Sequence, residues 1–210
     1  MSTPVIDVRD LTTHIVTRWG TIKAVDGVSF SVSEGETLGL VGESGSGKSM
    51  TCLSILRLVP RPAARILGGE VRLDGDDLLK KSEREMQRIR GKRVAMIFVT
   101  HNLGIVAKMC DRVAVMYAGR VVEAGPVGTI FGAPRHPYTR ALLESVPRLG
   151  ARAEWLTAIE GQPPDLAALP RGCAFAPRCA HAMERCRAEE PPEFALGAGH
   201  ASRCWLDAPA

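Results

Sequence analysis

The chain has 210 residues, 45% of them apolar, with a formal net charge of +4. That suffices for one sizeable core and a small appendix, and the apolar share is ordinary for a globular protein. The charge is spread along the chain and singles out no partner, and no run approaches the roughly 20 apolar residues of a membrane helix.

From the N-terminus, residues 1–10 carry two acids, one arginine and no apolar stretch of signal length, so a soluble, intracellular chain is expected. Work at a membrane would then need other chains as the anchor. Val5–Val8 and Ser29–Val32 read as short strands around a turn-rich segment, and Thr37–Val41 as a buried strand. Directly after it stand Gly42, Glu43, Ser44, Gly45, Ser46, Gly47, Lys48 and Ser49, a complete G-x-x-x-x-G-K-S run. Met50–Val59 predicts a helix that stops at Pro60. Glycines let successive N–H groups turn inward onto phosphate oxygens, and the helix N-terminus adds partial positive charge. Lys48 can reach the outer phosphates, and the Ser49 hydroxyl can ligate Mg²⁺. A plain glycine turn is the alternative; the strand before and the helix after argue for a nucleotide site.

Gly68–Gly75 reads as a strand closed by an Asp-Gly turn, and residues 77–90 as a helix. Lys80–Arg93 holds seven basic and two acidic residues but no aromatic that could stack on a base, so a solvated helix is preferred to a nucleic-acid patch. Val94–Val99 is a continuous apolar run, hence a buried parallel strand, and Leu103–Cys110 suits a helix. Arg112–Tyr117 and Arg120–Glu123 form a hairpin across Ala118-Gly119. Eleven of the 14 prolines fall at or after Pro126. A boundary is placed near Gly161, giving domains 1–160 and 161–210, the second a small cysteine-bearing module.

These pieces converge. The phosphate loop, Val99-Thr100-His101-Asn102 and Tyr117–Glu123 resemble an ATP-binding cassette (ABC) ATPase. The run Phe131–Leu143 and the segment Gly172–Cys179 are similar to the ATP-binding subunits of dipeptide and oligopeptide importers, whose relatives include nickel importers. The resemblance implies an α/β fold: a P-loop NTPase core, here shortened, with the cysteine-rich C-terminal module. It implies ATP and Mg²⁺ held by Gly42–Ser49, and Trp19 stacked on adenine, since Trp19 lies nine residues before Val28. It implies His101 as the switch histidine at the γ-phosphate, the one catalytic residue that can be assigned. A half-buried tryptophan and a structural histidine are the respective alternatives. Membrane-spanning permease subunits, a second ATP-binding subunit and, indirectly, an extracytoplasmic solute-binding protein are the implied partners. The implied location is peripheral, on the cytoplasmic face of the plasma membrane.

The departures are equally specific. No four-residue apolar run is followed by Asp-Glu, so the second Mg²⁺ anchor and the catalytic base are missing. The Leu-Ser-Gly-Gly-Gln signature is absent; Ile66–Glu70 only imitates it. Gln87 and Gln162, the only glutamines, are not placed for the family's glutamine loop. Val94–Phe98 resembles the strand before that loop, and Ile97–His101 the strand before the switch histidine. The two overlap at Ile97-Phe98, as if a large internal block had been removed there. Only 52 residues separate Lys48 from His101. ATP binding with poor hydrolysis is expected. A non-catalytic nucleotide- or metal-binding module, or a non-functional fragment, is the alternative. A GTPase would want Asn-Lys-x-Asp, which is absent, and a small-molecule kinase would want its own Asp after a strand.

Cys173, Cys179, Cys186 and Cys204 are separated by five, six and 17 residues. Disulfides do not suit an intracellular chain. Four-thiolate zinc usually shows a C-x-x-C knuckle, absent here. An iron–sulfur cluster tolerates looser spacing, and some members of the importer subfamily carry a 4Fe–4S cluster at this place. Cluster, zinc and free thiols remain the three readings. His181 and His200 are candidate substitute ligands, with surface histidines as the blander reading; Cys52 and Cys110 read as core.

Overall fold

The computed structural model describes residues 4–90, 103–145 and 159–209. Strand β1 (Ile6–Thr17) turns through Arg18-Trp19 into β2 (Gly20–Val32). The two pair antiparallel along their length, Ile6 facing Val32 and Thr17 facing Gly20. The expected short strands at 5–8 and 29–32 are thus the ends of one long hairpin. Its turn-like middle is absorbed as register shifts, with Asp10 and Gly27 at positive φ.

Next come β3 (Leu38–Val41) and α1 (Lys48–Ile55). The helix ends before the Pro60 stop that the sequence suggests. Arg57 adopts φ 54, and the N–H groups of Leu58 and Arg57 close back on the carbonyls of Leu53 and Ser54. That left-handed cap finishes the helix early. Strand β4 (Ala64–Leu73) makes a tight turn at Asp74-Gly75 into β5 (Asp76–Asp77). Both turn residues have positive φ, the geometry that matches strand twist.

The helix expected over 77–90 is divided. Asp77 caps a 3₁₀ turn at Leu78–Lys80, and Ser82 with Glu85 forms a capping box that starts α2 (Glu83–Ile89) afresh. The run Val94–Val99 lies outside the described residues. Helix α3 (Leu103–Met109) leads into the hairpin β6 (Arg112–Tyr117) and β7 (Arg120–Pro126), closed at Ala118-Gly119 as expected. Helices α4 (Val127–Gly132) and α5 (Pro137–Glu144) follow. The C-terminal stretch supplies a 3₁₀ turn at Ala176–Arg178, α6 (Glu184–Ala188), β8 (Phe194–Gly197) and β9 (His200–Ser202).

Among the described residues there are two sheets. One is antiparallel, in the order β2-β1-β4-β5; the other runs β3-β6-β7-β9-β8, with β3 and β6 parallel. Residues beyond Gly161 therefore extend the sheet that carries the glycine loop, β9 pairing with β7 at Glu123 and Ala124. One apolar cluster lies under the first sheet and joins Val8, Leu11, Val28, Val71, Ile55 and Met86. A second joins Val41, Val113 and Tyr117 with Ile130, Tyr138 and Phe175. Strand β3, which leads into the β3–α1 loop, contributes to both, Leu40 to the first and Val41 to the second.

Candidate phosphate-binding site

Gly42–Ser49 links the end of β3 to the start of α1, as the residue pattern requires. Gly47 is the N-cap of α1 at φ 103, and a Cβ there would lie 2.3 Å from the Ala24 carbonyl oxygen. Only glycine fits so close to another backbone at such a φ. Ser46 accepts the Gly119 N–H at 3.0 Å and Gly119 in turn accepts the Asp26 N–H at 2.9 Å. The β6–β7 turn thus braces the loop from below.

Lys48 is buried, its side chain curled into the loop. Its Nζ donates to the carbonyl oxygens of Gly42 (2.9 Å) and Glu43 (2.8 Å) and to Ser46 Oγ (3.2 Å). Burial lowers its pKa, opposed by the negative charge of Glu43 and by Cys52. The ammonium is therefore partly desolvated and held by neutral oxygens, so an anion placed in the loop would meet it with little water to displace. Ser44, Gly45 and Ser49 face solvent, and Ser49 opens the first turn of α1, where a hydroxyl can meet a phosphate-bound cation.

Sequence reasoning missed how Glu43 is fixed. Its backbone N–H donates to Tyr138 Oη at 2.8 Å. Its carboxylate receives both ends of the Arg178 guanidinium, at 2.8 and 3.1 Å. Arg178 also donates to Tyr117 Oη at 3.3 Å and to the carbonyls of Ile159 and Glu160. Glu43 and Arg178 are 135 residues apart in sequence; no local spacing could have signalled the pair.

Trp19 stands at the β1–β2 turn with 80% of its surface exposed, the Arg18 guanidinium 4.4 Å from its ring centre. His101 lies outside the described residues, two positions before α3 begins. Cys173, Cys179, Cys186 and Cys204 line one small apolar cavity together with Phe175, His181 and Trp205. Cys173 N–H donates to the Cys186 carbonyl at 2.8 Å, tying two of the four positions directly. Burial raises the thiol pKa of Cys173 and Cys179, and that of Cys204 to about 11. Among the described residues, no three His, Cys, Asp or Glu side chains are grouped to hold a single metal ion. His200 is not a surface residue: it is buried, and its Nε2 meets Glu123 Oε1 at 2.8 Å. Cys52 and Cys110 are partly buried against the two apolar clusters.

Comparison with known proteins identifies the family of the chain. Residues 25–144 match the family model described as ABC transporter, and residues 122–186 match the oligopeptide/dipeptide transporter, C-terminal region. The chain is 33% identical to the "Probable peptide ABC transporter ATP-binding protein y4tR" of Sinorhizobium fredii (strain NBRC 101917 / NGR234) in an alignment of 315 positions that covers 95% of this chain and 94% of that protein. It is 32% identical to the "Oligopeptide transport ATP-binding protein OppD" of Bacillus subtilis (strain 168), over 99% of this chain and 91% of that one. A solved structure, "Dimeric Structure of MJ0796, a Bacterial ABC Transporter Cassette", is 26% identical over 46% of this chain and 40% of its own, with a TM-score of 0.38. The first alignment has 315 positions and this chain 210 residues, so at least 105 positions of y4tR (315 less 210) have no counterpart here. Both chains are covered almost end to end, so the shortfall is internal.

Proposed function

The chain belongs to the ABC transporter family, in its oligopeptide and dipeptide branch, and from that membership we propose that it is the ATP-binding subunit of a peptide importer. In this reading it works with membrane-spanning permease subunits and a second ATP-binding subunit, with an extracytoplasmic solute-binding protein as an indirect partner. It is peripheral to the cytoplasmic face of the membrane. No helix among the described residues is long and apolar enough to cross a bilayer. The observation that carries the reading is the braced Gly42–Ser49 loop with the Lys48 ammonium drawn into it. ATP phosphates would replace the Gly42 and Glu43 carbonyls as partners of Lys48, and the amides at the start of α1 would face them. Ser49 is assigned to Mg²⁺, Trp19 to adenine stacking and His101 to the γ-phosphate. Mg²⁺ bound there would neutralise phosphate charge. Titration calorimetry of the whole chain with MgATP tests this: binding is expected, and Lys48→Ala should weaken it by about tenfold or more, the cost of a charge-assisted hydrogen bond. No heat from folded wild-type protein would refute the reading.

The convergence of four thiols on one apolar cavity supports a second assignment, that Cys173, Cys179, Cys186 and Cys204 hold an iron–sulfur cluster. The donor set is all-thiol, and an apolar wall suits a cluster shielded from water. Zinc is the weaker alternative, because the tight C-x-x-C knuckle that usually holds it is absent from the sequence. A bound cluster would supply four thiolate ties between loops that carry little regular structure. Anaerobic reconstitution with iron and sulfide should give about four of each per chain and a broad visible absorption, lost in Cys179→Ser; zinc at one per chain with no iron uptake would decide against the cluster.

A further inference from the structure

The Arg178–Glu43 pair joins two places that the proposed function treats separately. Glu43 is the second residue of the phosphate loop, and the Lys48 ammonium rests on its carbonyl oxygen. Arg178 ends the 3₁₀ turn between Cys173 and Cys179, two of the four cavity thiols. That turn is tightly closed: the Ala176, Arg178 and Cys179 N–H groups donate to the carbonyls of Cys173, Phe175 and Ala176. The guanidinium side chain is only 5% exposed and the Glu43 carboxylate 24%. The pair is bidentate and screened from water, which makes it stiffer than a surface ion pair. Tyr117, Tyr138 and Phe175 pack around it, with Tyr117 and Tyr138 ring centres 4.5 Å apart.

We propose that Arg178 is a positioning residue for the phosphate loop, fixing its shape through the Glu43 carboxylate and so coupling nucleotide binding to the state of the cysteine cavity. The inference rests on the reading that Gly42–Ser49 binds ATP. Glu43 is held at its backbone by Tyr138 and at its carboxylate by Arg178, so the loop keeps a preset curvature before ligand arrives. Without Arg178, the carboxylate of Glu43, on the second residue of the loop, would lose its counter-charge in a loop that has to receive anionic phosphates, and like charges repel. Coupling of two sites is reciprocal: whatever moves the Cys173–Cys179 turn alters the loop, and nucleotide in the loop stiffens the turn.

The test uses the full chain. MgATP affinity is measured by calorimetry for wild type, Arg178→Gln, Arg178→Lys, Glu43→Gln and the Arg178→Gln/Glu43→Gln double variant, each with a thermal melt. Arg178→Gln should weaken MgATP by about tenfold, the cost of one charged hydrogen bond. Arg178→Lys should recover part of the loss. The double variant should be no weaker than Arg178→Gln alone, because removing the carboxylate relieves the uncompensated charge. Glu43→Gln keeps the size and shape of the side chain and serves if Arg178→Gln does not fold; it too should weaken binding. In parallel, hydrogen exchange at the backbone amides of Ala176, Arg178 and Cys179, the bonded N–H groups of that turn, is followed by mass spectrometry. MgATP should slow it severalfold in wild type and leave it unchanged in Glu43→Gln. Wild-type binding with affinity within twofold in Arg178→Gln and Glu43→Gln overturns this inference alone, as does equal protection by MgATP in wild type and Glu43→Gln. A folded wild type that gives no heat overturns this inference and the nucleotide reading together.

Discussion

His136 is buried at the N-cap of α5, where its Nδ1 accepts the Tyr138 N–H at 3.0 Å and its own N–H reaches Glu123 Oε2 at 2.9 Å. Glu123 is itself buried and also takes the Arg135 N–H at 2.8 Å and His200 Nε2 at 2.8 Å. One carboxylate thus gathers β7, the entry to α5 and β9. Burial depresses the His136 pKa from 6.5 to about 4, because a charged imidazolium would be desolvated there and its Nδ1 would lose its role as acceptor. The sign follows: between pH 6.5 and about 4 the unfolded chain binds a proton at this position that the folded chain refuses. The contribution of His136 is therefore intact above pH 6.5 and is lost as pH falls toward 4, by about 3 kcal/mol at most. Melting curves across that window should show a smaller decline for His136→Asn than for wild type, since Asn can cap the helix without titrating. Equal pH slopes for the two proteins would show that another group controls the acid limb.

At the scale of elements, local signals placed most boundaries. Asp74-Gly75 and Ala118-Gly119 close hairpins where the sequence says a turn must be, and the Ser82/Glu85 capping box marks a helix start inside a stretch that hydrophobic periodicity alone joins into one. The Gly68-Gly69 pair that imitates a signature motif has a packing reason instead. Gly69 adopts φ 96 on β4, and a Cβ there would lie 2.6 Å from the Asp10 carbonyl oxygen and from Leu11 Cα. Strand β1 shifts register against β4 between Arg9 and Thr12. Glycine at this point lets the two strands cross closely; it has no need of chemistry. The long β1–β2 hairpin was less legible, because its polar, turn-forming middle belongs to the strand only through pairing on both sides, with β2 and β4.

For the whole molecule, we infer that the shortened interior limits hydrolysis. The sequence contains no apolar run followed by Asp-Glu, and a P-loop ATPase without a second Mg²⁺ anchor and a catalytic base loses on the order of 10²–10³ in rate or more for each. A phosphate-release assay on the full chain with MgATP is expected to show no turnover above that of Lys48→Ala. Turnover comparable to that of intact relatives would show that the base and the anchor come from elsewhere, for example from a partner subunit.

The sequence by itself determined the glycine loop, its lysine and serine, the strand and helix on either side of it, the four-cysteine set and the lack of an Asp-Glu pair after an apolar run. These are matters of residue type and short spacing, which act within a few positions of chain. Only the tertiary structure decided that the four thiols share one cavity, that His200 is buried against Glu123, that the C-terminal strands extend the sheet of the phosphate loop, and that Arg178 grips Glu43. Those contacts join residues up to 135 positions apart, and such partners are chosen by how sheets stack and which surfaces are buried together, which no local pattern encodes.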